Sequence, residues 1–422
     1  MAEERIQITL SQDGAEAHVS ICPGPPLATG ALRAALSKAG IREGLDEPAC
    51  EALDEGLAEE SFEQPDVRVA QGRPAKPGED GQLSLQREVG LQAGTLREDG
   101  SMDLFERALL TPVAQGEEVA RRSKPTKGEA GVDVRGARIP AADGKPEKTR
   151  LGKGVKEAKD GSIVATRAGV LRHDLGALLD VVDHHKHEGD VDVSTGHLDT
   201  LGSLSIKGQL RRNFEIRVDG DVEIHGRVDG GRIYASGSVR VDGGVIGLDH
   251  GLVSCAHDVA ARHTQNARIE AGQSVCVQTH AVNSRIEART IEVAGRLIGG
   301  EARAELRVEV NEAGSPSGGG TLLEAGVLHP PVLEVHRVLA AHGHAVELPE
   351  EDPTEQEEEA AAQTRHQREH ELLLAAEVVV RTCAHEGVRV KLGKYVAHVE
   401  RETMGVRFRF DPACDQIVRE TL

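Results

Sequence analysis

Residues 220–241, GDVEIHGRVDGGRIYASGSVRV, hold one complete copy of a short repeat and the first strand of the next copy. The first strand of each copy alternates apolar and polar residues. Its first apolar residues lie 17, 20, 16 and 16 residues apart, at Val222, Val239, Val259, Val275 and Ile291. A second strand recurs in phase with the first, at residues 232–235, 252–255, 268–271 and 285–288. Glycines precede and follow most copies of the first strand.

One copy of this length cannot bury its own apolar face, whereas stacked copies bury a continuous column of side chains. A turn of 16–20 residues with short strands and glycine corners is typical of a parallel β-helix. Because the period varies, while left-handed hexapeptide helices keep to about 18 residues per turn, we predict the right-handed form. The absence of Trp and a total of only seven Phe and Tyr residues fit a narrow aliphatic core.

The fold class that follows is mainly β, with a right-handed parallel β-helix core, an α+β and β-rich head, and a C-terminal helical plus small β-sheet region. We predict a small α+β unit at 1–66, a β-rich head at 67–190, the β-helix at 191–327, a helical arm at 328–386 and terminal strands at 387–422.

Two details of this organisation can be checked directly. The segment Val69-Ala70-Gln71-Gly72 recurs at residues 113–116, which indicates two related β loops in one head domain. Apolar spacing and an acidic start predict a long helix over residues 354–385.

The formal net charge of −20 limits the functional classes, because it argues against whole-chain binding to nucleic acid or to an anionic membrane. No apolar run of about 18 residues and no secretory signal occurs, so we expect a cytoplasmic protein without membrane insertion. The six cysteines form no CxxC pair, and no Walker, GxSxG or HExxH motif occurs. The sequence therefore predicts no metal site, no cofactor, no catalytic residue and no enzymatic activity.

Two segments carry a family resemblance. Residues 113–140 contain Val-Ala-Gln-Gly-Glu, then Lys-Pro-Thr-Lys-Gly-Glu-Ala-Gly-Val-Asp-Val-Arg-Gly and a final Ile-Pro. Residues 189–196 read Gly-Asp-Val-Asp-Val-Ser-Thr-Gly, at the predicted entry into the β-helix. Both resemble motifs of the flagellar assembly protein A family, and the resemblance covers residues 67–422.

This resemblance implies a cytoplasmic bacterial scaffold with a β head, a right-handed β-helix, and a tail that promotes oligomers. It implies a link to flagellar assembly or polar organisation through protein–protein contacts, without any chemistry. We therefore expect protein partners and a homo-oligomer formed through the C-terminal helix. The arm at 328–386 is short for the family and the turn at 257–261 matches the repeat poorly.

Residues 121–156 form a basic segment in this acidic chain, with eleven Lys or Arg and four Asp or Glu residues. Such a segment either binds an acidic or phosphorylated partner or is a solvated face. It lacks interleaved aromatic residues that stack on single-stranded bases, so we expect no nucleic-acid partner. We prefer a partner protein, and predict that it is contacted by Arg121, Arg122, Lys124 and Lys127.

Histidines raise two further hypotheses. Residues 183–188, Asp-His-His-Lys-His-Glu, are rich in side chains that bind transition metals, although a polar loop between head and β-helix explains them better. His257 or His263 is the candidate base of a hexapeptide-type transferase. The remaining alternative is a bactofilin-like protein whose β-helices stack end to end into filaments. Of these, the non-enzymatic scaffold is the preferred interpretation.

Overall fold

The computed structural model describes residues 5–91, 94–96, 102–174, 177–248, 250–328, 332–344 and 367–422. The chain forms two compact units. The first unit comprises Met1–Leu85, Ala120–Thr149 and Lys159–Ser162, and the second comprises Gln86–Val119, Arg150–Ala158 and Ile163–Leu422. Residues 67–190, expected from the sequence to form a single head domain, are thus divided between the two units.

A three-stranded antiparallel sheet and two helices begin the first unit. In chain order they are β1 (Ile6–Leu10), β2 (Glu16–Ile21), α1 (Ala31–Lys38), α2 (Glu47–Gly56) and β3 (Gln64–Gln71), with β2 central in the sheet. The side chain of Asp46 caps α2 by accepting a hydrogen bond from the Ala49 amide. Leu32 and Leu36 of α1 are buried in the core of this unit. Strands and helices thus both occur here, as expected for the α+β unit predicted at residues 1–66.

Short strands connect this region to the rest of the chain. They are β4 (Leu83–Leu85), β5 (Thr95–Leu96), β6 (Met102–Asp103), β7 (Pro112–Val113), β8 (Glu118–Arg122), β9 (Gly131–Val132), β10 (Arg138–Ile139), β11 (Arg150–Leu151), β12 (Val155–Glu157), β13 (Ser162–Ala165), β14 (Gly169–Asp174) and β15 (Leu178–Val182). The first unit contains β4, β9, β10 and the last three residues of β8.

Glycines allow three backbone segments of the first unit to approach closely. A Cβ atom on Gly131 would lie 2.4 Å from the Arg73 carbonyl oxygen, and one on Gly144 would lie 1.9 Å from the Glu79 carbonyl oxygen. On Gly128 it would lie 2.6 Å from a carbonyl oxygen of the segment that follows β10. Side chains at these positions would force the backbones apart, so the family-like glycines of residues 128–131 have a packing role.

The two Val-Ala-Gln-Gly copies adopt different local structures. Gly72 directly follows β3 in the first unit, where its Cα hydrogens face the Val132 carbonyl oxygen. Gly116 lies in the second unit, in a turn with φ of +84°. The interpretation of these copies as related β loops is therefore wrong, because a four-residue match does not determine the long-range pairing around it.

From His184 onward the second unit is a parallel β-solenoid of about eight turns, over residues 184–324. Its strands are β16 (His184–His187), β17 (Leu198–Leu201), β18 (Ser203–Ile206), β19 (Glu215–Asp219), β20 (Val222–Ile224), β21 (Val228–Asp229), β22 (Arg232–Ala235), β23 (Val239–Ile246), β24 (Leu252–Cys255), β25 (Val259–Gln265), β26 (Arg268–Ala271), β27 (Ser274–Val277), β28 (His280–Val282), β29 (Arg285–Ile298), β30 (Gly300–Ala313) and β31 (Thr321–Ala325). The predicted parallel β-helix is confirmed.

The pairing follows the predicted repeat residue by residue. One ladder places Val222, Val239, Val259, Val275 and Ile291 next to one another in successive turns. Another ladder does the same for Ile233, Val253, Ile269 and Ile286. All of these side chains are buried in one continuous core. The copy at 258–261, which matches the repeat poorly in sequence, still pairs with the strands of the preceding and following turns.

One corner of each turn requires a left-handed backbone conformation. Positive φ angles recur at Asn213, Gly230, Leu248, Asn266 and Asn283, with values of +68°, +70°, +48°, +48° and +48°. Glycine adopts this conformation freely and asparagine tolerates it, whereas for leucine it is strained. The corner is therefore a backbone requirement that the sequence satisfies well in every one of these turns except that of Leu248.

The long 20-residue step of the repeat has a local cause. Ile246 is paired with Gln265, and Leu252 is paired with Arg268. At this corner the chain advances six positions, from Ile246 to Leu252, between one strand and the next. At the same corner of the following turn it advances only three, from Gln265 to Arg268. A hydrogen bond from the Gly251 amide to the Gly247 carbonyl closes this longer corner. One further residue is accommodated by a bulge between Val241 and Gly244, where the register of β23 with β25 shifts by one.

Helices and an antiparallel sheet follow the solenoid. They are α3 (Val332–Ala341), a helical segment at 367–375, β32 (Glu377–Ala384), β33 (Arg389–Leu392), β34 (Tyr395–His398), β35 (Thr403–Asp411) and β36 (Gln416–Thr421). Val335 and Leu339 of α3 are buried against Tyr234 and Leu252 on the outside of the solenoid. The terminal strands predicted for residues 387–422 are confirmed, and both helical segments lie within the arm predicted at 328–386.

The predicted helix over 354–385 is wrong from Glu377 onward, where β32 begins. Residues 367–375 are helical, and residues 354–366 lie outside the described residues. In β32 three consecutive valines, 378–380, pair in parallel with solenoid residues 308–310 and antiparallel with residues 406–408. Pairing on both sides of a β-branched run overrides helical spacing. The homo-oligomer expected through this helix stays a prediction.

Strands of the second unit cover both ends of the solenoid. At its start, β7 and β14 contact β17, and Leu110 and Val170 join the solenoid core. At its end, β32 and β33 continue the parallel ladders but then pair antiparallel with β35 and β34. The parallel stacking therefore stops within the unit at both ends.

Replacing Leu248 by Asn should stabilise the second unit by about 1 kcal/mol, because Asn adopts the left-handed corner at lower cost. The side chain of Leu248 is exposed, so little apolar burial is lost. Calorimetric unfolding of the variant measures this gain. The control Leu248→Ala removes the same side chain but retains an unfavourable residue at the corner; an equal gain in both variants would contradict this explanation.

Candidate functional site

Three of the four cations predicted to contact a partner lie on the surface of the first unit. Arg121 is exposed on β8, where it is paired with Ser84 of β4. Lys124 and Lys127 are exposed in the segment that leads from β8 to β9. In this segment the Ser123 amide donates a hydrogen bond to the Gln82 carbonyl, and the Thr126 carbonyl accepts one from the Gly144 amide. The three side chains are thus presented by a fixed backbone.

Arg122, the fourth predicted residue, makes intramolecular contacts. Its Nε lies 3.1 Å from a carboxylate oxygen of Glu147, and an Nη2 hydrogen is donated to the Thr149 carbonyl oxygen at 2.6 Å. The side chains of Arg122 and Glu147 are only 21% and 14% exposed. Arg122 therefore joins the end of β8 to residues 147–149, which is a structural role that the sequence did not indicate.

The carboxyl group of Glu147 is held in its charged form. Burial alone would raise its pKa, but the hydroxyl and amide of Thr149 and the guanidinium of Arg122 outweigh burial and lower the pKa below the ordinary value. The ion pair with Arg122 is thus maintained at neutral pH.

Carboxylates of the same unit lie within and beside the basic segment and reduce its positive charge. Glu129 lies 3.8 Å from the ammonium of Lys76. Asp80 accepts a hydrogen bond from the Lys145 amide, and Asp143 accepts one from the Gly128 amide. These carboxylates stabilise the turns that present the basic side chains, so the surface is mixed in charge and not uniformly positive.

The histidine-rich segment is a strand and not the polar loop that the sequence suggested. Residues 184–187 form β16, which pairs in parallel with residues 203–206. Burial, with further contributions from His187 and Arg172, lowers the pKa of His185. His187 Nε2 lies 3.1 Å from the Asp190 carbonyl oxygen. The alternating strand geometry points neighbouring side chains to opposite faces.

The two histidines considered as catalytic bases occupy different environments. His257 is exposed in the turn before β25. His263 stacks on His280 at a ring-centroid distance of 5.2 Å, and burial, then His280 and Arg262, lower the pKa of His263. The two histidines are therefore not brought together into one site.

The structure assembles two side-chain groups that sequence reasoning missed. Within the described residues, Cys383, His385 and Glu402 form one group of possible metal ligands, and Glu223, His225 and Asp242 form another. In each group two members lie two residues apart, Cys383 with His385 and Glu223 with His225, but the third comes from a different strand or turn, so the sequence spacing does not reveal the group.

The fold and its covered ends define the chain as a parallel β-solenoid protein with an appended α+β unit. The family model described as Flagellar Assembly Protein A N-terminal region matches residues 6–175, and that described as Flagellar Assembly Protein A beta solenoid domain matches residues 183–348. Together they cover most of the chain, which therefore belongs to the flagellar assembly protein A family. Family membership connects the chain to flagellar assembly.

Comparison with curated proteins and with solved structures gives no match. In the part of the chain that the structure describes, every helix is too short or too polar to cross a bilayer.

Replacing Arg122 by Met should destabilise the packing of residues 120–149 by about 1–3 kcal/mol, because a half-buried carboxylate loses its charged partner. Amide hydrogen exchange of peptides from these residues measures the effect. The matched control is Lys124→Met, at an exposed residue two positions further along the chain, which should exchange as the unmodified protein does.

The effect of Arg122→Met should also depend on pH. A carboxyl group whose pKa is lowered by folding contributes stability above its ordinary pKa, 4.5 for Glu147, and loses it as the pH falls. The difference in exchange between Arg122→Met and the unmodified protein should therefore shrink as the pH is lowered below this value. A difference that is constant with pH would contradict the assigned ion pair.

Proposed function

We propose that this chain is a non-enzymatic cytoplasmic scaffold that binds protein partners during flagellar assembly or polar organisation. The observation that carries the proposal is the covering of both solenoid ends by strands of the same unit. A solenoid with covered ends offers its lateral faces and its appended unit for binding, since β7 and β14 pack against its first turns and antiparallel pairing terminates its last ones.

The same observation weighs against the bactofilin-like alternative. End-to-end stacking into filaments needs a free parallel strand edge at each end of the solenoid. Here β32 and β33 pair with antiparallel strands at the C-terminal end, and the outermost strand β36 carries the charged residues Arg419 and Glu420. Charged outer strands oppose edge-to-edge association.

The proposed contact surface for a partner consists of Arg121, Lys124 and Lys127. These exposed cations are carried by a backbone that the close glycine packing of the first unit fixes, so little conformational entropy is lost when they bind. An acidic or phosphorylated protein surface would complement them. Arg122 contributes by holding this segment in position and not by direct contact.

The transferase alternative has less support. A base in such an enzyme must reach its substrate from a site that also binds an acyl donor. His257 is exposed in a turn, while one face of the His263 ring is covered by His280.

The test is an affinity purification of the tagged protein from its own host, followed by mass spectrometry. The triple variant Arg121→Glu, Lys124→Glu, Lys127→Glu should recover specific partners about tenfold less well, because charge reversal replaces attraction by repulsion. Its circular dichroism spectrum should be unchanged.

The matched control reverses three exposed cations of the C-terminal sheet, Arg389→Glu, Lys394→Glu and Arg409→Glu, with the same change in net charge. This control should recover the partners normally. Equal recovery by all three proteins would exclude the proposed surface, and recovery of the protein alone in long assemblies would favour the filament alternative.

A further inference from the structure

Three side chains with metal-binding atoms converge at the C-terminal end of the solenoid. Cys383 lies near the end of β32, His385 follows that strand, and Glu402 directly precedes β35. The Cys383 sulfur lies 3.8 Å from His385 Nδ1, which in turn lies 3.5 Å from a carboxylate oxygen of Glu402. All three donor atoms lie within 4.8 Å of one another.

A fourth side chain orients the imidazole. His385 Nε2 lies 2.9 Å from a carboxylate oxygen of Glu312, and the histidine side chain is only 8% exposed. Glu312 is fixed by its position beside Cys383 in the solenoid ladder and by Arg296 at 3.4 Å. When Nε2 donates its hydrogen to Glu312, the lone pair of Nδ1 points toward the thiol and Glu402. Protein zinc ligands use this carboxylate–histidine arrangement.

We propose that Cys383, His385 and Glu402 bind a thiophilic divalent cation, with Zn²⁺ the best match, and that Glu312 positions the imidazole. Thiolate, imidazole and carboxylate are the ligands that zinc prefers. Bonds of ~2.3 Å to sulfur and ~2.0 Å to nitrogen at a tetrahedral angle separate these two atoms by about 3.5 Å, close to the distance of 3.8 Å present here. Water completes the coordination.

The electrostatic environment favours a cation at this position. The carboxylates of Glu402 and Glu312 lie 3.5 Å and 2.9 Å from the nitrogens of the His385 ring, beside the thiol. The negative potential of these carboxylates disfavours a thiolate at Cys383. A divalent cation bound beside the sulfur offsets that potential. The cation would join the end of β32 to the residue before β35, and so stabilise the antiparallel closure of the solenoid.

The second group, Glu223, His225 and Asp242, differs in two respects. It has no thiol, and the guanidinium of Arg240 lies 2.9 Å from Asp242 and 3.9 Å from Glu223. An arginine already neutralises these exposed carboxylates, so this group serves as a control.

The test uses the full chain, freed of metal by chelation and titrated with Co²⁺. A thiolate-to-cobalt charge-transfer band should appear, saturate at one Co²⁺ per chain, and disappear when Zn²⁺ is added. Cys383→Ser should abolish the band. Cys414→Ser, which removes an exposed thiol, and His225→Gln should leave it unchanged.

Two carboxylate variants keep the proposal testable if Cys383→Ser fails to fold. Glu402, 61% exposed in its side chain, can change to Gln without loss of core packing, and this variant should bind Co²⁺ at least about tenfold more weakly. Glu312→Gln should weaken binding about 10- to 100-fold while keeping the band. Absence of the band in the unmodified protein, as expected if a protonated imidazole bridges the two carboxylates instead, would overturn the proposal. A band that persists in Cys383→Ser would also overturn it.

Discussion

The close stacking of successive turns is the constraint on which the solenoid depends. Parallel strands in neighbouring turns lie about 4.8 Å apart, so each corner must fit directly over the one before it. A Cβ atom on Gly237 would lie 2.7 Å from the carbonyl carbon of Gly220, and one on Gly243 would lie 2.4 Å from the Gly226 carbonyl oxygen. The glycines that flank the first strand are therefore a steric requirement of stacking.

This constraint also explains the composition of the core. A turn of this length encloses a narrow interior, which valine, isoleucine, leucine and alanine fill without rings. Phe105 and Phe214, whose rings lie 5.1 Å apart, are near the start of the solenoid, and Tyr395 and Phe410 are near its end. These four aromatic side chains thus lie where the turns of the solenoid give way to other packing, at the two ends of the aliphatic column.

The sequence predicts the strands that recur in every turn of the solenoid. It does not predict contacts between segments that are distant along the chain. The residues that pair in successive turns from Val222 to Ile291 could be predicted from the sequence, because each copy repeats the same alternation of apolar and polar residues. The strand at residues 378–380 could not, because its partners are distant in sequence and its valines also fit a helical spacing. The ion pair of Arg122 and the cluster around His385 likewise depend on contacts between remote segments. No local spacing encodes such contacts.

The additional corner residues between Ile246 and Leu252 show how this architecture tolerates change in length. A solenoid separates two roles along its chain, since the ladders need a fixed register whereas the corners only need to reverse direction. Loops can therefore lengthen at a corner while the strands on either side keep their partners. Over evolution, such corners are positions where relatives can gain new surface segments without redesigning the core. For the experimenter, the same corner is a natural point at which to attach a fluorophore or an epitope.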